Sequence, residues 1–339
     1  MIDFIYKLKW YFSEHKMKYL LIVILAVISN FMEVIPPQLI GRTIDLINTG
    51  DMTIKTMWLI FLLFIVVIIS TYVLLYSWFY MLFGSAYDIE SILRMRLMQR
   101  FLTLSPSFYE QNKTGDLMAK ATNDMRSINR AMGFGMITLL DASTFLATIV
   151  LVMAFTINLE LTFFALLPLP LLIIIEVCLG RMINKRHTES QKSFGVMNDS
   201  ALEVVEGVRL TRSYVQEEAE AVSFKGKTKD YLDRFMKVEK LDALFQPLTI
   251  FVVSLSFIIA FGYGAVLVNA GEMTVGQVVT FNIYLNMLIW PMFAMGMLFN
   301  IMQRGNASLN RVEEVLQTED DVIDNGDGLM ESSEIDFEH

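Results

Sequence analysis

Long apolar runs separated by polar segments are the main feature of this sequence. A hydrocarbon core of about 30 Å requires about 20 helical residues to cross it. Six runs meet this length, and they cover residues 19–40, 58–83, 132–157, 161–181, 243–270 and 273–303. The pattern therefore predicts an all-α membrane protein with six transmembrane helices between residues 19 and 303.

The segments between the runs alternate between short and long. Residues 84–131 and 182–242 form the two long, polar segments. In the first, Ile89, Leu93 and Leu97 recur at helical spacing, and similar stripes occur in the second. A helix from residue 58 to 104 would measure about 70 Å, about 40 Å more than a bilayer requires. We therefore expect long helical extensions beyond the membrane.

The basic residues predict the orientation of the chain. Of its 27 Lys and Arg residues, 25 lie in the termini and the long segments or beside them, and only Arg42 and Lys55 lie on the other side. The positive-inside rule then places both termini and both extensions in the cytoplasm of a cell whose plasma membrane the chain crosses. Residues 1–18 show no cleavable signal and are expected to form an interfacial elbow helix.

Composition agrees with a membrane protein and excludes several other classes. Hydrophobic residues make up 54% of the chain, charged residues 19%, and mean hydropathy is +0.49. The single cysteine, Cys178, excludes an internal disulfide. The three histidines are scattered, so no metal site is expected. Basic residues of the second long segment alternate with acidic ones, which argues against nucleic acid as a partner.

Two short segments lie at the tips of the predicted extensions. The first, residues 108–124, reads FYEQNKTGDLMAKATND, in which we expect Gly115 to supply a turn and Asp116 to cap a short helix. The second, residues 207–224, reads GVRLTRSYVQEEAEAVSF and carries aromatic residues at Tyr214 and Phe224. Projections of this kind indicate contact with something in the cytoplasm.

These tips and three further segments resemble ABC exporters of the six-plus-six-helix type, in order and over the whole chain. EVIPPQLIGRTID resembles the end of their first span, and QRGNASLNRVEEVL the end of their sixth. EIDFEH, residues 334–339, resembles the first strand of their nucleotide-binding domain. NIYLNMLIWPMFAMG and MQRGNAS favour a subunit of the Gram-positive heterodimeric multidrug exporters.

The resemblance implies a mechanism and partners. Two six-helix units would enclose a cavity that opens alternately to each side of the membrane, with a heterodimer favoured over a homodimer. The two tips would be coupling helices, about Thr114–Asn123 and Tyr214–Phe224, that sit in clefts of nucleotide-binding domains. The residues expected to make these contacts are Thr114, Gly115, Asp116, Leu117, Tyr214, Glu217, Glu218 and Phe224.

The sequence contains no G-x-x-x-x-G-K-[ST] phosphate loop. We therefore expect no catalytic residue and no cofactor in this chain, and ATP and Mg²⁺ would belong to a nucleotide-binding domain that it lacks. Residues 304–333 are expected to be a linker, and residues 334–339 a domain start cut within a strand. Whether the complete protein is an ATP-hydrolysing translocase depends on sequence beyond residue 339.

Polar residues within the spans are candidates for the substrate pathway. A carboxylate in the membrane costs about 2.5–3.5 kcal/mol on insertion scales, so Glu33 and Glu176 are candidates for binding cationic compounds. The alternative is a hydrogen-bonded structural carboxyl. In the sixth run, Asn282 and Asn286 are candidates for the polar side of a pathway, or for hydrogen bonds between helices. Trp290 and Phe293 are candidates for its apolar side, with lipid or packing contacts as the alternative.

Three alternatives to drug export remain at this stage. Lipid or peptide export would require a more basic cavity or an added peptidase domain. A transporter driven by an ion gradient would have broken helices, whereas the six runs are predicted to be unbroken. A non-transporting partner would arise from a natural truncation.

Overall fold

Six long apolar helical segments build the protein. The computed structural model describes residues 2–318, and the side chains of all of these except 2, 173 and 176. The described residues contain no strand, so the predicted all-α fold is confirmed. The predicted domain start, residues 334–339, and residues 319–333 of the predicted linker lie outside the described residues. The segments are span 1, Lys16–Thr49; span 2, Ile54–Thr103; span 3, Thr114–Ile157; span 4, Leu159–Glu206; span 5, Glu217–Asn269; and span 6, Val275–Leu316.

Shorter helices precede, connect and subdivide these spans. Pro106 occupies the first turn of a short helix, where its missing N–H costs nothing. The additional helices are Ile2–Lys7, Lys9–Glu14, Pro106–Gln111 and Val208–Ser213, and span 3 includes π-helical turns at Lys120–Asp124, Ala131–Gly135 and Met153–Ile157.

The prediction of unbroken spans is wrong for spans 4 and 6. Span 6 consists of the helices Val275–Met287 and Ile289–Leu316, interrupted at Leu288. The interruption lies where the ring of Pro291 would meet the carbonyl group four residues earlier, at Met287. Span 4 is likewise interrupted between Leu159–Leu166 and Leu169–Glu206, at Pro168. Span 6 also remains helical as far as Leu316, well into the segment expected to be a linker.

The chain forms two compact units. Unit A contains residues 2–39, 53–149 and 287–318 of the described chain, and unit B contains residues 40–52 and 150–286. The core of unit A joins the C-terminal half of span 2 to span 3 and to the end of span 6. Its central members are Trp78, Leu82, Ile89, Leu97, Met125, Ile128, Met302, Leu309 and Val312.

The N-terminal segment of unit A forms two short helices that pack on the C-terminal half of span 2. The Tyr11 hydroxyl donates to Asp88 over 3.2 Å, and Lys18 lies 3.5 Å from the same carboxylate. Burial, and secondly the charge of Asp88, raise the pKa of Tyr11 to about 12, so this phenol remains a hydrogen-bond donor. The guanidinium group of Arg96 lies 4.0 Å from the ring centroid of Trp10.

In unit B, spans 4 and 5 pack along each other over most of their length. Ser193 donates to Asp230 over 2.6 Å, and Arg234 donates to the same carboxylate over 2.9 Å. The hydrogen bond from Ser193, followed by that from Arg234, lowers the pKa of Asp230. Because its pKa is lowered, Asp230 stays ionised and keeps these two contacts through the pH range in which an ordinary aspartate is protonated. The contacts weaken only in more acidic solution.

Asp45 at the end of span 1 holds the start of span 6, also within unit B. One carboxylate oxygen accepts from the Gly276 backbone N–H over 2.7 Å, and the other from the Thr274 hydroxyl over 2.7 Å. Thr274 and Gln277 form a reciprocal capping box at the same helix start. The end of span 1 thereby satisfies backbone donors that the first turn of span 6 leaves free.

The two helices approach closely because glycines face each other. A Cβ atom added to Gly276 would lie 2.0 Å from the Gly41 carbonyl oxygen, and one added to Gly41 would lie 2.6 Å from the Gly276 carbonyl oxygen. Both obstacles are backbone atoms, which no change of rotamer removes. Small residues allow this kind of close helix contact within a membrane.

Gly276→Ala should therefore lower the thermal stability of the detergent-purified protein, since overpacking costs about 1–3 kcal/mol. Gly262→Ala is the matched control, because a Cβ at this helical glycine of unit B meets nothing within 4 Å. The measurement is the unfolding midpoint of both variants against the unmodified protein. Equal midpoints for the two variants would contradict the close-contact interpretation.

Candidate functional site

A buried polar cluster lies in the membrane portion of unit A. Asn30 of span 1 is completely buried, and its amide contacts the Thr144 hydroxyl of span 3 at 2.6 Å. When the amide oxygen faces Thr144, its nitrogen donates to Asp141 over 3.3 Å. Glu33, one turn further along span 1, is close enough to Asp141 for the two carboxylates to interact electrostatically. Two acidic side chains thus share one region of low dielectric.

Asp141 lies on the wall of a cavity of about 310 Å³. This volume is at the lower end of the range for small-molecule sites. Aromatic faces attract organic cations, and an ionised carboxylate among them adds an opposite charge. The cavity is lined by Phe79, Phe83, Phe134, Ile137, Thr138, Asp141, Ala142, Trp290, Ala294 and Met297. We call it the aromatic pocket.

A second cavity, of about 770 Å³, continues from the aromatic pocket. The two cavities share Phe83, Phe134 and Met297. The character of the wall changes in the second cavity, because three arginines replace the single carboxylate. It is lined by Phe83, Arg126, Ser127, Asn129, Arg130, Phe134, Met297, Asn300, Ile301 and Arg304. We call it the arginine pocket.

The predicted pathway residues divide between the two units. Trp290 lines the aromatic pocket, Glu33 interacts with Asp141 on its wall, and Phe293 is half-buried in the same unit. Asn286 is exposed in unit B. Asn282 is buried there and donates to the Val278 carbonyl over 2.8 Å, a contact within its own helix.

Two acidic residues of the apolar runs remain, Glu176 and Asp141. The side chain of Glu176 lies outside those that the structure describes. Asp141 was missed, although it is the only charged residue in the run 132–157 and the same argument that selected Glu33 applies to it.

A helix forms where the first coupling helix is predicted, and it begins at Thr114, the first residue of the predicted range Thr114–Asn123. The helix is Thr114–Ala119, followed by the π-helical turn Lys120–Asp124. The expectation that Asp116 caps it is wrong, because Lys113 is the capping position and Asp116 lies in the first turn, where its charge favours the helix dipole. Gly115 lies within this helix and does not form a turn. Leu117 is buried, whereas Thr114 is exposed.

The segment predicted as the second coupling helix, Tyr214–Phe224, is not a separate helix: residues 214–216 form a turn, and residues 217–224 are the first two turns of span 5. The short helix Val208–Ser213 ends at Tyr214, and span 5 begins at Glu217. Val215 has a φ of 55°, in the left-handed region, and this reverses the chain. Tyr214 is 73% exposed, and Glu217 and Glu218 form the exposed first turn of span 5. Phe224 is half-buried two turns later.

A buried ion pair joins the segment after the first tip to the end of span 6. Asp124 is 8% exposed and accepts from the Ser308 hydroxyl over 2.9 Å. Arg311 binds both of its carboxylate oxygens, with Nε at 3.0 Å. The hydrogen bonds that Arg311 donates to Asp124 raise the pKa of Arg311 above its already high value, so the arginine stays charged. Neither residue was selected from the sequence.

Other contacts fix the same end of span 6. Lys7, in the first N-terminal helix, lies 2.6 Å from both Asn310 and Glu313. Arg100, near the end of span 2, donates to the carbonyl oxygen of Thr318. Three separate elements of unit A therefore hold the last helix near the point where the described chain ends.

Residues 226–228 match the last three residues of the phosphate-binding loop motif G-x-x-x-x-G-K-[ST]. Gly226, Lys227 and Thr228 read GKT, but they lie inside the continuous helix Glu217–Asn269. Their backbone N–H groups are used within that helix and cannot surround a phosphate. Lys227 donates to Ser200 over 2.6 Å. This segment does not fit nucleotide binding.

Comparisons with known proteins place this geometry in a family. The profile of the ABC transporter transmembrane region matches residues 19–292. The chain is 44% identical to the probable multidrug resistance ABC transporter ATP-binding/permease protein YheI of Bacillus subtilis, over 100% of this chain and 58% of that protein. It is 32% identical to the multidrug resistance-like ATP-binding protein MdlA of Escherichia coli, over 94% of this chain and 54% of that protein.

A more distant similarity involves a lipid transporter. The ATP-dependent lipid A-core flippase of Syntrophus aciditrophicus is 26% identical over 70% of this chain and 39% of that protein. The chain thus spans little more than half the length of the curated relatives to which it is most extensively aligned.

Proposed function

This chain belongs to the family of ABC transporter transmembrane regions, and we propose that it forms half of the membrane pathway of an ATP-driven exporter of hydrophobic, cationic compounds. The observation that carries this proposal is the aromatic pocket with Asp141 on its wall. An organic cation would gain contact with aromatic faces and with a carboxylate in a region of low dielectric. The names of the two multidrug relatives support the same class of substrate.

The proposal includes partners outside this chain. A second half-transporter would complete the cavity, with a heterodimer favoured, and nucleotide-binding domains would bind ATP and Mg²⁺. The relatives are ATP-binding/permease proteins, which supports the association with such domains. The chain's own residues would supply the pathway and the surfaces that the domains contact, and membrane lipids would surround it.

Lipid export is the second candidate, and one observation favours it. A lipid exporter is expected to have a basic cavity, and the sequence alone did not indicate one. The arginine pocket is such a cavity, and the similarity to a lipid flippase is consistent with it. The aromatic pocket, with its acidic group, favours cationic compounds as the first choice.

We also propose that both termini and both tips face the cytoplasm of a cell with this chain in its plasma membrane. In a Cys178→Ser background, a cysteine at Asn48 or Glu272 should react with an impermeant thiol reagent on intact cells. A cysteine at Lys113 should react only after the cells are opened. All of these positions are exposed, so access and not burial determines the result. External labelling at Lys113 would contradict the orientation.

The export function can be tested at the second tip of the complete transporter. Tyr214→Ala should lower ATP-dependent uptake of a fluorescent organic cation into inverted vesicles by about fivefold, a typical size for a lost coupling contact. ATP hydrolysis should stay within about twofold of normal. The reason is that this highly exposed ring has a large apolar face suited to a protein groove.

Tyr87→Ala is the matched control for this experiment, because Tyr87 is 64% exposed on the cytoplasmic part of span 2 and away from both tips. It should change neither transport nor hydrolysis. Transport that does not depend on ATP in the unmodified protein would overturn the proposed function. Equal losses in the two tyrosine variants would overturn the assignment of the tip.

A further inference from the structure

Three arginines of the arginine pocket lack an acidic partner. Within residues 2–318, no hydrogen bond or ion pair engages the side chain of Arg126, Arg130 or Arg304. Arg311, two turns beyond Arg304 on the same helix, is held by both oxygens of Asp124. Arg311 is thus neutralised by a carboxylate within unit A, whereas the three pocket arginines are not. The pocket instead concentrates three positive charges around an open volume.

A buried donor on the same wall points to a missing acceptor. The Asn129 side-chain nitrogen is buried and has no hydrogen-bond partner among the described residues. Leaving such a donor unsatisfied costs about 1–3 kcal/mol. The Asn300 amide lies on the same wall and can donate as well. A ligand rich in acceptor oxygens and negatively charged would satisfy all of these groups.

The position of the pocket along the spans identifies the source of such a ligand. Arg130 precedes the apolar run 132–157, and Arg304 follows the apolar run 273–303. The arginines therefore lie at the level where a bilayer has its headgroups. Phe83, Phe134 and Met297 continue the same volume toward the apolar interior. One end of the cavity suits an anionic head, and the other suits a hydrocarbon chain.

We propose that the arginine pocket binds the phosphate headgroup of an anionic membrane lipid, with an acyl chain directed toward the aromatic pocket. Basic pockets between transmembrane helices recognise phosphate headgroups in this way. Arginine suits the task because its planar fork donates two parallel hydrogen bonds to phosphate oxygens. The lipid proposal is argued from the lining of the arginine pocket and does not depend on the proposed drug export. An experiment can therefore refute either proposal without the other.

The aromatic and arginine pockets are separate subsites. Eleven residues of span 3 separate Arg130 from Asp141, a rise of about 16 Å. A lipid headgroup among the arginines therefore does not occupy the carboxylate that we assign to the cationic compound. Its acyl chain would form part of the wall that the compound contacts.

Native mass spectrometry of the complete, detergent-purified transporter can test this site. The protein is titrated with phosphatidylglycerol, with zwitterionic phosphatidylcholine, and with phosphatidylglycerol in the presence of inorganic phosphate. We expect preferential binding of phosphatidylglycerol that millimolar phosphate does not displace. Arg130→Gln/Arg304→Gln should weaken this binding at least about tenfold, since each basic residue near an anionic surface contributes about 1 kcal/mol.

The control removes two positive charges elsewhere at the membrane boundary. Arg181→Gln/Lys185→Gln changes two exposed residues of span 4 that do not line the pocket, and it should leave lipid binding within about twofold. If the double pocket variant fails to fold, Arg304→Gln alone, at an exposed side chain, should still weaken binding by about fivefold.

Three results would overturn the proposal. The first is equal binding of the two lipids. The second is an equal loss in the pocket and control variants, which would indicate general surface charge. The third is displacement by inorganic phosphate alone, which would indicate a site for free phosphate.

Discussion

Asp141→Asn should lower ATP-driven export of an organic cation by about tenfold to a hundredfold, and leave export of a neutral compound of similar size within about twofold. A unit charge 4 Å from a carboxylate gains about 4 kcal/mol at an effective dielectric constant of 20. Part of that energy is lost to desolvation, and about 1.4–2.8 kcal/mol corresponds to the expected change in rate. Asparagine keeps the shape and the polar contacts of the pocket wall, so the variant isolates the charge.

The measurement is the initial rate of uptake into inverted vesicles containing the complete transporter, with both compounds. Glu33→Gln should have a smaller effect, because Glu33 acts on Asp141 but does not line the aromatic pocket. Asp51→Asn, at an exposed position between spans 1 and 2, is the control and should change neither rate. A parallel loss for the charged and neutral compounds would show that Asp141 supports the fold and not recognition.

Asp124→Ala should abolish most transport and lower the unfolding midpoint of the protein by about 4 °C. The substitution leaves the buried Ser308 hydroxyl and the Arg311 guanidinium without their acceptor. Removing one partner of a fully buried pair costs about 3–5 kcal/mol. Half of the Arg311 side chain is exposed, so solvent reduces the cost to about 2 kcal/mol.

The effect on transport follows from what Asp124 connects. It joins the segment after the first tip to the end of span 6, beyond which the family implies a nucleotide-binding domain. We therefore expect this contact to couple motion at the tip to motion at the end of span 6. Without it, we expect ATP hydrolysis to continue while cation uptake falls at least about tenfold.

Asp199→Ala is the matched control, because this exposed aspartate lies within the helix Leu169–Glu206 and belongs to neither tip. It should leave the midpoint unchanged within about 1 °C. Asp124→Asn should fall between the two variants, since its amide oxygen can still accept from Ser308. Identical behaviour of the two alanine variants in both assays would contradict a role for the ion pair.

The sequence predicted the spans well because the membrane imposes a strong requirement. Every backbone donor and acceptor in lipid must be paired within the segment, so a long apolar run has little choice but a helix. The helical extension of span 2 was predicted from the spacing of Ile89, Leu93 and Leu97, which the structure buries on one face. Local periodicity and length were sufficient for both predictions.

Features that depend on distant residues or local turn chemistry were not predicted. Asp124 and Arg311 are 187 positions apart, and nothing in either neighbourhood indicates the other. The turn at Val215 was missed because a β-branched residue is a poor candidate for a positive φ. The arginine pocket emerges only when spans 2, 3 and 6 are brought together, and its members are ordinary positive-inside residues in the sequence.

The junction of Asp45 with Gly276 also has a consequence for how the protein is made. The two residues are 231 positions apart, so the end of span 1 is synthesised long before the helix start that it binds. The ribosome adds about 5–20 residues per second, which leaves span 1 without this partner for at least about 10 seconds. During that interval the backbone at Gly41 lacks the helix start at Gly276 that packs against it in the folded protein. Unit B therefore cannot be complete until the last span has entered the membrane, and its closure is a late step of biogenesis.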